Sequence, residues 1–462
     1  MTNLGYTADE PIAAIATPLS PGAIGIVRTS GKNCIDLVSK IFSRPKSLLS
    51  AQGNTLVYGW IVDPKNPEKK IDEVMLGVYR APKSFTGEDM VEIFCHGGVA
   101  VVKAILDLLL KNGFRQAERG EYTFRSYING KSDLTKAEAV KEIIDSKTDA
   151  SRDHAAGRLS GNIFEEISSI KNLIIETIAA IEVAVEYPED EETIANSFDS
   201  KKLLNARDRL KLLSDSWKSE RLYQDGAKVV LCGKTNAGKS SLFNALLKEE
   251  RAIVSDIEGT TRDYIEAWAS FDGIPARLFD TAGLRETSDQ IEAVGVQRTK
   301  DLSDGADLIL YLVDSALGLE IDDTDFIREQ KIPVVLVWTK TDKNPSETFV
   351  STEKDLCDAS VSISSKTGRG LGDLSEAVKK VLLKKLGPED SVSALGSERQ
   401  KKSVDEALER VSHALTASEE GYALDAVVQD LEDSLDSLGE VTGEVSPDDI
   451  LENIFSNFCV GK

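Results

Sequence analysis

The chain has 462 residues, and its 55 Lys and Arg residues against 78 Asp and Glu residues give a formal net charge of -23. This length suggests about two to four domains, and a hydrophobic content of 41% excludes a disordered chain. Taken alone, the negative charge argues against nucleic acid as a direct partner, because phosphate binding needs a basic surface.

The first 130 residues predict a mixed α/β domain. Short apolar runs at 13–16, 24–27 and 74–78 are bounded by Pro and Gly, as expected for strands. The pattern from Val99 to Leu110 predicts a helix that ends at Asn112-Gly113. We therefore place an N-terminal domain at residues 1–130.

Two separated stretches predict an all-α domain. Apolar residues recur at helical spacing through 134–185, again over 201–223, and once more after residue 395. Because chain termini of a domain often lie close together, an inserted domain between two such stretches is well tolerated. The predicted helical domain has a first part at 131–222 and a second part at 384–462.

Between these parts, residues 223–383 alternate strands with helices. Buried-strand runs at 229–231, 276–279, 308–313 and 334–338 are typical of a doubly wound parallel sheet. The predicted fold is thus multidomain: an α/β domain, an all-α domain, and an α/β doubly wound domain inserted into the latter.

A phosphate-binding loop stands at Gly233–Ser240, with the sequence GKTNAGKS between a strand and a helix. Glycines let the backbone wrap phosphates, Lys239 is expected to reach the β- and γ-phosphates, and Ser240 to ligate Mg²⁺. Asp280-Thr281-Ala282-Gly283 closes the next strand, where an acidic residue holds Mg²⁺ through water. Between them, Thr260-Thr261 fits a switch, and Thr261 is predicted to complete the Mg²⁺ shell.

Two further motifs select guanine. Asp342 in Thr339-Lys340-Thr341-Asp342 can accept two hydrogen bonds from a guanine edge, and Ser364-Ser365-Lys366 fits the last base-contacting loop. Five motifs in this order predict a GTPase, against the alternative of an inactive GTPase-like domain. The predicted GTP contacts are Asn236, Ala237, Gly238, Lys239, Ser240, Ser241, Ser255, Thr260, Thr261, Asp280, Thr281, Ala282, Gly283, Thr339, Lys340, Asp342, Ser364, Ser365 and Lys366.

The residue after the Asp280–Gly283 motif is Leu284, whose apolar side chain cannot orient an attacking water. Glu286, Asp289 and Glu292 are nearby candidates for that role. An arginine finger, worth about 10³–10⁵ in rate where present, is not evident. Another positive charge is therefore implied.

The motifs together resemble the MnmE (TrmE) family of tRNA-modification GTPases. The resemblance covers essentially the whole chain and includes Gly233–Ser240, Gly259–Asp263, Asp280–Glu286, Phe85–Asp89, His96-Gly97-Gly98, Gly120-Glu121 and the ending Phe455–Lys462 with its Cys-x-Gly-Lys. It implies an N-terminal folate-binding and dimerising domain, a helical domain and a Ras-like G domain.

The resemblance also implies partners and chemistry. Members work as homodimers with the flavoprotein MnmG (GidA) in a heterotetramer. Together they install a carboxymethylaminomethyl or aminomethyl group at C5 of the wobble uridine of certain tRNAs. A 5-formyl- or methylene-tetrahydrofolate supplies the one-carbon unit, and FAD and NADH act through the partner. By matching position, Arg28, Glu92, Lys131 and Lys462 would contact the folate.

A K⁺ ion is implied as well, held by Asn236, Ser255, Ile257 and Thr260 when two G domains meet. The ion would take the place of an arginine finger. Glu292 would orient the attacking water, acting on it through a second, bridging water. Oxygen ligands suit K⁺, so the Asn236 amide and loop carbonyls are reasonable donors. The alternative is that Asn236 only braces its loop.

Several assignments have plain structural alternatives. Arg28 and Lys131 could form surface salt bridges, and Glu92 could be an exposed strand residue. Cys459 is a candidate catalytic thiol, since thiolates are good nucleophiles, but its apolar neighbours also suit a small buried hydrophobe.

The chain departs from the family pattern at three places. Thr339 stands where Asn is commoner, and its hydroxyl can keep part of the loop-bracing role. Lys234-Thr235 replaces Arg-Pro and is expected to point away from the phosphates. Ser397–Gln400 departs from Asn-x-Arg-His, which puts any role there in doubt.

Charge distribution bears on the alternative of an Era-like or EngA-like ribosome-assembly GTPase, which carries a basic RNA-binding domain after the G domain. Residues 384–462 have 7 basic and 18 acidic residues, a net charge of -11, against +2 for residues 1–130. The acidic helical segment disfavours that alternative. A folate-binding module with a vestigial G domain is a weaker option.

The sequence also predicts a cytoplasmic location. The start lacks a charged region followed by an apolar one, and no apolar run approaches the ~20 residues that span a bilayer. The five cysteines are scattered without a CxxC pair, which indicates a reduced protein without a zinc site.

Overall fold

A computed structural model describes residues 10–186, 200–249, 265–280, 305–343, 356–384, 393–420, 424–445 and 447–462. The chain divides into two compact units, residues 1–141 with 436–462 and residues 142–435. The predicted domain boundaries after residues 130, 222 and 383 stay predictions.

The first unit contains a six-stranded sheet in the order β3-β4-β5-β2-β1-β6. Neighbouring strands are antiparallel except β1 and β6, which run parallel. The strands are β1 (Ile12–Ile15), β2 (Ile24–Ser30), β3 (Thr55–Asp63), β4 (Asn66–Tyr79), β5 (Met90–His96) and β6 (Arg115–Gln116).

The described part of the chain contains fourteen α-helices. They are α1 (Cys34–Ser39), α2 (Pro45–Leu49), α3 (Val99–Lys111), α4 (Glu121–Ile128), α5 (Leu134–Asp145), α6 (Asp149–Ser160), α7 (Asn162–Glu186), α8 (Ser200–Asp225), α9 (Lys239–Glu249), α10 (Ile321–Glu329), α11 (Leu371–Leu383), α12 (Glu398–Glu419), α13 (Leu424–Thr442) and α14 (Asp448–Ser456).

Alternating burial along β2 and β5 places Arg28 and Glu92 on the same face of the sheet. Val27, Val91 and Ile93 are fully buried in a core that also contains Ile105 and Leu109 of α3. Successive side chains of a strand point to opposite faces, so the intervening residues of β2 and β5 lie on the other face of the sheet. Arg28 and Glu92 are directly opposite each other on that face.

The second unit contains another six-stranded sheet, in the order β12-β11-β10-β7-β9-β8. All neighbours are parallel except β8 and β9, which form an antiparallel hairpin. The strands are β7 (Ala227–Cys232), β8 (Ile265–Phe271), β9 (Ile274–Asp280), β10 (Leu308–Asp314), β11 (Val334–Thr339) and β12 (Ala359–Ser362). The buried runs of β10 and β11 are those of central strands covered on both faces.

The predicted elements are present, with local differences. The helix expected from Val99 ends at Lys111, as predicted. The helical stretch 134–185 is divided into three helices, because Thr148 caps the start of α6 and Gly161 ends it in a left-handed conformation with φ 107°. The acidic run Glu189–Glu192, predicted to be a loop, lies outside the described residues.

Ser397–Gln400, the departure from the family pattern, begins α12. The Ser397 side chain accepts a hydrogen bond from Gln400 N, and Gln400 Oε1 accepts one from Gly396 N at 2.7 Å. These residues therefore have a structural role at a helix start. None of the described helices is both long enough and apolar enough to cross a membrane.

Candidate functional site

The phosphate loop lies between β7 and α9 and needs its glycines. Gly233 has φ 134°, and a Cβ there would lie 2.3 Å from the carbonyl oxygen of Leu312. Gly238 also has a left-handed conformation, with φ 100°. The loop thus brings bare backbone to the start of α9, the arrangement that binds phosphate.

Lys239 folds back over this loop. Its Nζ donates to the carbonyl oxygens of Gly233 at 2.6 Å and Lys234 at 2.9 Å. The ammonium group is therefore held at the loop that would cradle the phosphates. Ser240 and Ser241 are exposed on the first turn of α9, next to Lys239. This cradle and its lysine fit a magnesium-bound nucleoside triphosphate.

The Lys234 side chain points toward the start of α10 and away from the phosphate loop, as predicted. Its Nζ lies 2.7 Å from Glu320 Oε2 and 3.3 Å from Asp323 Oδ2, beside the start of α10. The hydrogen bond from Lys234 to Glu320 raises the pKa of this lysine. Its charge is thus neutralised by carboxylates.

Thr339 and Lys340 brace the phosphate loop from the end of β11. The Thr339 hydroxyl lies 2.6 Å from Ala237 O and 3.1 Å from Val313 O, so it keeps the bracing role expected of it. Lys340, in a left-handed conformation, donates from Nζ to Asn236 O at 2.7 Å and to Asp314 Oδ2 at 2.7 Å. The guanine motif and the phosphate loop are therefore one bonded structure.

Asp342 is arranged as an acceptor. Ser364 Oγ donates to Asp342 Oδ1 at 2.8 Å, and this hydrogen bond, more than the nearby charge of Lys366, lowers the pKa of Asp342. The carboxylate is exposed and ionised at neutral pH, so it can accept hydrogen bonds from a base edge. Ser365 is half-buried and Lys366 exposed in the same loop.

The exposed Asn236 has φ 64° at the tip of the phosphate loop. Its backbone carbonyl is bonded to Lys340, whereas its side-chain amide makes no hydrogen bond among those found in the described residues. The amide oxygen is thus available to a ligand.

The remaining predicted GTP and metal contacts lie outside the described residues: Ser255, Ile257, Thr260, Thr261, Thr281, Ala282, Gly283 and Glu292, with Leu284, Glu286 and Asp289. Asp280 is the last residue of β9, which places its backbone at the carboxyl end of the sheet beside β7. Ligands of open parallel sheets bind at this edge.

A second polar cluster forms in the first unit around Arg28. Its Nε lies 2.9 Å from Glu92 Oε1, and its Nη1 donates to Gly461 O at 3.2 Å. Phe85 and Tyr122 flank the guanidinium, with its central carbon 5.7 and 5.6 Å from the two ring centroids. Arg28 is therefore paired with the Glu92 carboxylate and held in place by two aromatic rings.

Lys462 lies within reach of this cluster. Partial burial, followed by the repulsion of Arg28, lowers the pKa of Lys462, and the charge of Glu92 opposes the shift. Its main chain is fixed by Tyr122 N, which donates to Lys462 O at 3.2 Å. Arg28, Glu92 and Lys462 therefore come together, as a ligand with carboxylates and N–H groups would require.

The other two predicted residues of this unit are placed less centrally. Lys131 is exposed, and its side chain lies close to Gly87. A Cβ added at Gly87 would be 3.2 Å from Cγ of Lys131. Cys459 is exposed, so the alternative of a buried apolar cysteine is wrong. Phe85 and Tyr122 were missed as site residues, because Tyr122 joins Arg28 across 94 residues of chain and no local spacing signals that contact.

The chain is similar to known proteins over nearly its whole length. The family described as "MnmE helical domain" matches residues 134–459, and "GTP-binding protein TrmE N-terminus" matches residues 11–131. A protein of Treponema denticola named tRNA modification GTPase MnmE is 54% identical, with 99% of each chain covered. The protein of that name from Borrelia recurrentis is 41% identical, again over 99% of each chain.

Among solved structures, the G domain of the T. maritima FeoB iron transporter aligns with 34% of this chain and 98% of its own. The identity is 26% and the TM-score 0.26, a similarity too low to bear on function. The phosphate loop and the parallel sheet define a GTP-binding protein with a Ras-like domain. Full-length relatives and both family matches then establish that the chain belongs to the MnmE (TrmE) family of tRNA modification GTPases.

Proposed function

We propose that this chain hydrolyses GTP in support of a modification at C5 of the wobble uridine of certain tRNAs. It would act in the cytoplasm as a homodimer, in a heterotetramer with the flavoprotein MnmG (GidA). The product would be a carboxymethylaminomethyl or aminomethyl group. Similarity over 99% of both chains to a relative named tRNA modification GTPase carries the proposal.

In the G domain, Lys239 binds the β- and γ-phosphates and Asp342 selects guanine, supported by Ser364. Ser240, with Thr261 and Asp280, would hold Mg²⁺, which neutralises phosphate charge when bound. The bonded connection from Lys340 to Asn236 keeps the base-binding and phosphate-binding segments in register. Hydrolysis then depends on water being oriented, which we assign to Glu292.

We assign a K⁺ site to Asn236, Ser255, Ile257 and Thr260, formed when two G domains meet. The support is the exposed side-chain amide of Asn236 at the tip of the phosphate loop. A bound K⁺ would supply the positive charge that an arginine finger provides in other GTPases.

We assign a tetrahydrofolate site to Arg28, Glu92, Lys131 and Lys462. Arg28 and the lysines offer cationic donors to the carboxylates of a folate, and Glu92 offers an acceptor to N–H groups of its ring. The folate derivative, in its 5-formyl or methylene form, would bring the one-carbon unit, with FAD and NADH bound by the flavoprotein. Cys459 is exposed and remains a candidate nucleophile.

GTP turnover in KCl and in NaCl at equal ionic strength tests the potassium assignment. We expect faster turnover in KCl for the unaltered chain and no difference between salts for Asn236→Ala. Equal rates in both salts for the unaltered chain would reject this assignment.

Nucleoside mass spectrometry tests the function as a whole. tRNA from a strain lacking the gene should lose the modified wobble uridine, and a plasmid copy should restore it. Lys239→Ala should fail to restore it, whereas the matched control Lys228→Ala, an exposed lysine on β7, should succeed. An unchanged wobble uridine in the deletion strain would reject the proposal.

A further inference from the structure

The loop at residues 84–89 lies between β4 and β5 and is fastened to itself. Ser84 Oγ donates to Glu88 O at 2.5 Å, and Glu88 N donates to Thr86 Oγ1 at 3.2 Å. The loop carries the Phe85–Asp89 motif, to which the proposed function gives no role. These internal hydrogen bonds hold the loop in a defined conformation.

Glu88 attaches this loop to the rest of the first unit. Its Oε2 accepts a hydrogen bond from Ser30 Oγ at 2.7 Å, and Arg125 Nη1 lies 3.2 and 3.1 Å from its two carboxylate oxygens. Arg125 is 1% exposed and is itself bonded to Glu121, which is fully buried, and to the carbonyl oxygen of Glu10. A buried, multiply bonded guanidinium is a rigid anchor.

The opposite side of the loop meets two residues of the proposed folate site. Phe85, 41% exposed, places its ring against the Arg28 guanidinium. Gly87 is approached closely by the Lys131 side chain, and Asn129 Nδ2 donates to Thr86 O at 2.7 Å. Movement of the loop would therefore displace the Phe85 ring that contacts Arg28. It would also displace Gly87, which lies beside the Lys131 side chain.

We infer that Glu88 and Arg125 are positioning residues for the folate site, acting through the 84–89 loop. This inference rests on the proposed function. A buried ion pair adds little net stability over apolar packing, but it fixes which groups meet. Here it fixes the loop that orients Phe85, and through it the guanidinium that would bind a folate carboxylate.

The experiment measures the dissociation constant of 5-formyltetrahydrofolate by titration calorimetry, together with the melting temperature and GTP turnover of each variant. Glu88→Gln and Arg125→Lys should weaken folate binding about tenfold, the scale of one charge-assisted hydrogen bond. Their GTP turnover should stay unchanged, since the G domain is not altered.

The matched control is Glu142→Gln, which also neutralises a carboxylate paired with a buried arginine. Glu142 Oε2 lies 2.6 Å from Arg158 Nε. The two carboxylates are similarly buried, because the side chain of Glu142 is 13% exposed and that of Glu88 is 19% exposed. This control should lower the melting temperature and leave folate affinity unchanged. A loss of affinity in the control equal to that in Glu88→Gln would reduce Glu88 to a stabilising role and overturn the inference.

If Glu88→Gln does not fold, Ser30→Ala removes one hydrogen bond to Glu88 and one to Thr86 of the same loop without unpairing a charge. A measurable loss of affinity supports the inference, and unchanged affinity overturns it. Failure of the unaltered chain to bind the folate overturns the proposed folate site instead, so the two results are distinguishable.

Discussion

Glu220 joins two basic side chains in the second unit. Its two oxygens accept hydrogen bonds from His154 Nδ1 at 2.8 Å and Arg158 Nη1 at 2.6 Å, and Arg158 is also paired with Glu142. Burial opposes ionisation of Glu220, but these hydrogen bonds and charges outweigh it and lower its pKa. Each carboxylate of this kind contributes to how a fold responds to acid.

The sign of that response follows from the direction of the pKa shift. Because the pKa of folded Glu220 is below its ordinary value of 4.5, its contribution to stability is fully present above that pH. It is lost as the pH falls through the folded pKa. We therefore expect the free energy of unfolding to decline below about pH 4.5 less steeply in Glu220→Gln than in the unaltered chain.

At neutral pH the same variant should lose about 3 kcal/mol, because it leaves the buried Arg158 with one carboxylate fewer. Denaturant unfolding across the pH range measures both effects. Identical pH dependence in variant and unaltered chain would show that Glu220 is not the titrating group.

At the scale of elements, the hairpin of β8 and β9 is attached to helices at its turn. Thr148, which caps α6, donates from Oγ1 to Gly273 O at 2.7 Å, and Ser151 of the same helix donates to Tyr223 O of α8 at 2.6 Å. On another side, Lys379 of α11 lies 3.3 Å from Asp272. One turn of a hairpin thus connects α6 and α11.

Replacing Thr148 with Val should break this attachment while keeping the side-chain shape. The variant loses both the helix cap and the bond to Gly273, so we expect a loss of about 1–2 kcal/mol in the free energy of unfolding. Thr177→Val is the matched control: its buried hydroxyl bonds the Leu173 carbonyl within α7, which already has a helical partner. The control should lose less than about 0.5 kcal/mol, and equal losses would deny Thr148 a special role.

Local patterns predicted the phosphate loop and its flanking β7 and α9, because that motif lies on consecutive residues. They also predicted the central strands β10 and β11 from continuous apolar runs. The antiparallel partner of β9 was not predicted, since β8 (IEAWASF) has no continuous apolar run like those that identified the other strands. The Arg28 cluster combines β2, β5, α4 and the residues after α14, and sequence spacing contains no signal for such long-range packing.

At the scale of the whole molecule, charge is distributed unevenly along the chain. Residues 1–130 carry 15 basic and 13 acidic residues, whereas residues 384–462 carry 7 and 18. Within the first segment, the charges of Arg115 and Arg125 are balanced by the Glu121 carboxylate. The net charge of -23 therefore opposes RNA binding without excluding a local contact.

We expect the isolated chain to bind tRNA with a dissociation constant no tighter than about 1 µM at physiological salt, the range of non-specific electrostatic binding. If the proposed flavoprotein partner provides most of the basic surface, its addition should tighten binding. Filter binding at several salt concentrations measures both quantities, and the slope against salt reports how many phosphates are neutralised. Nanomolar binding by the isolated chain would mean that a few exposed cations, rather than net charge, determine its affinity for RNA.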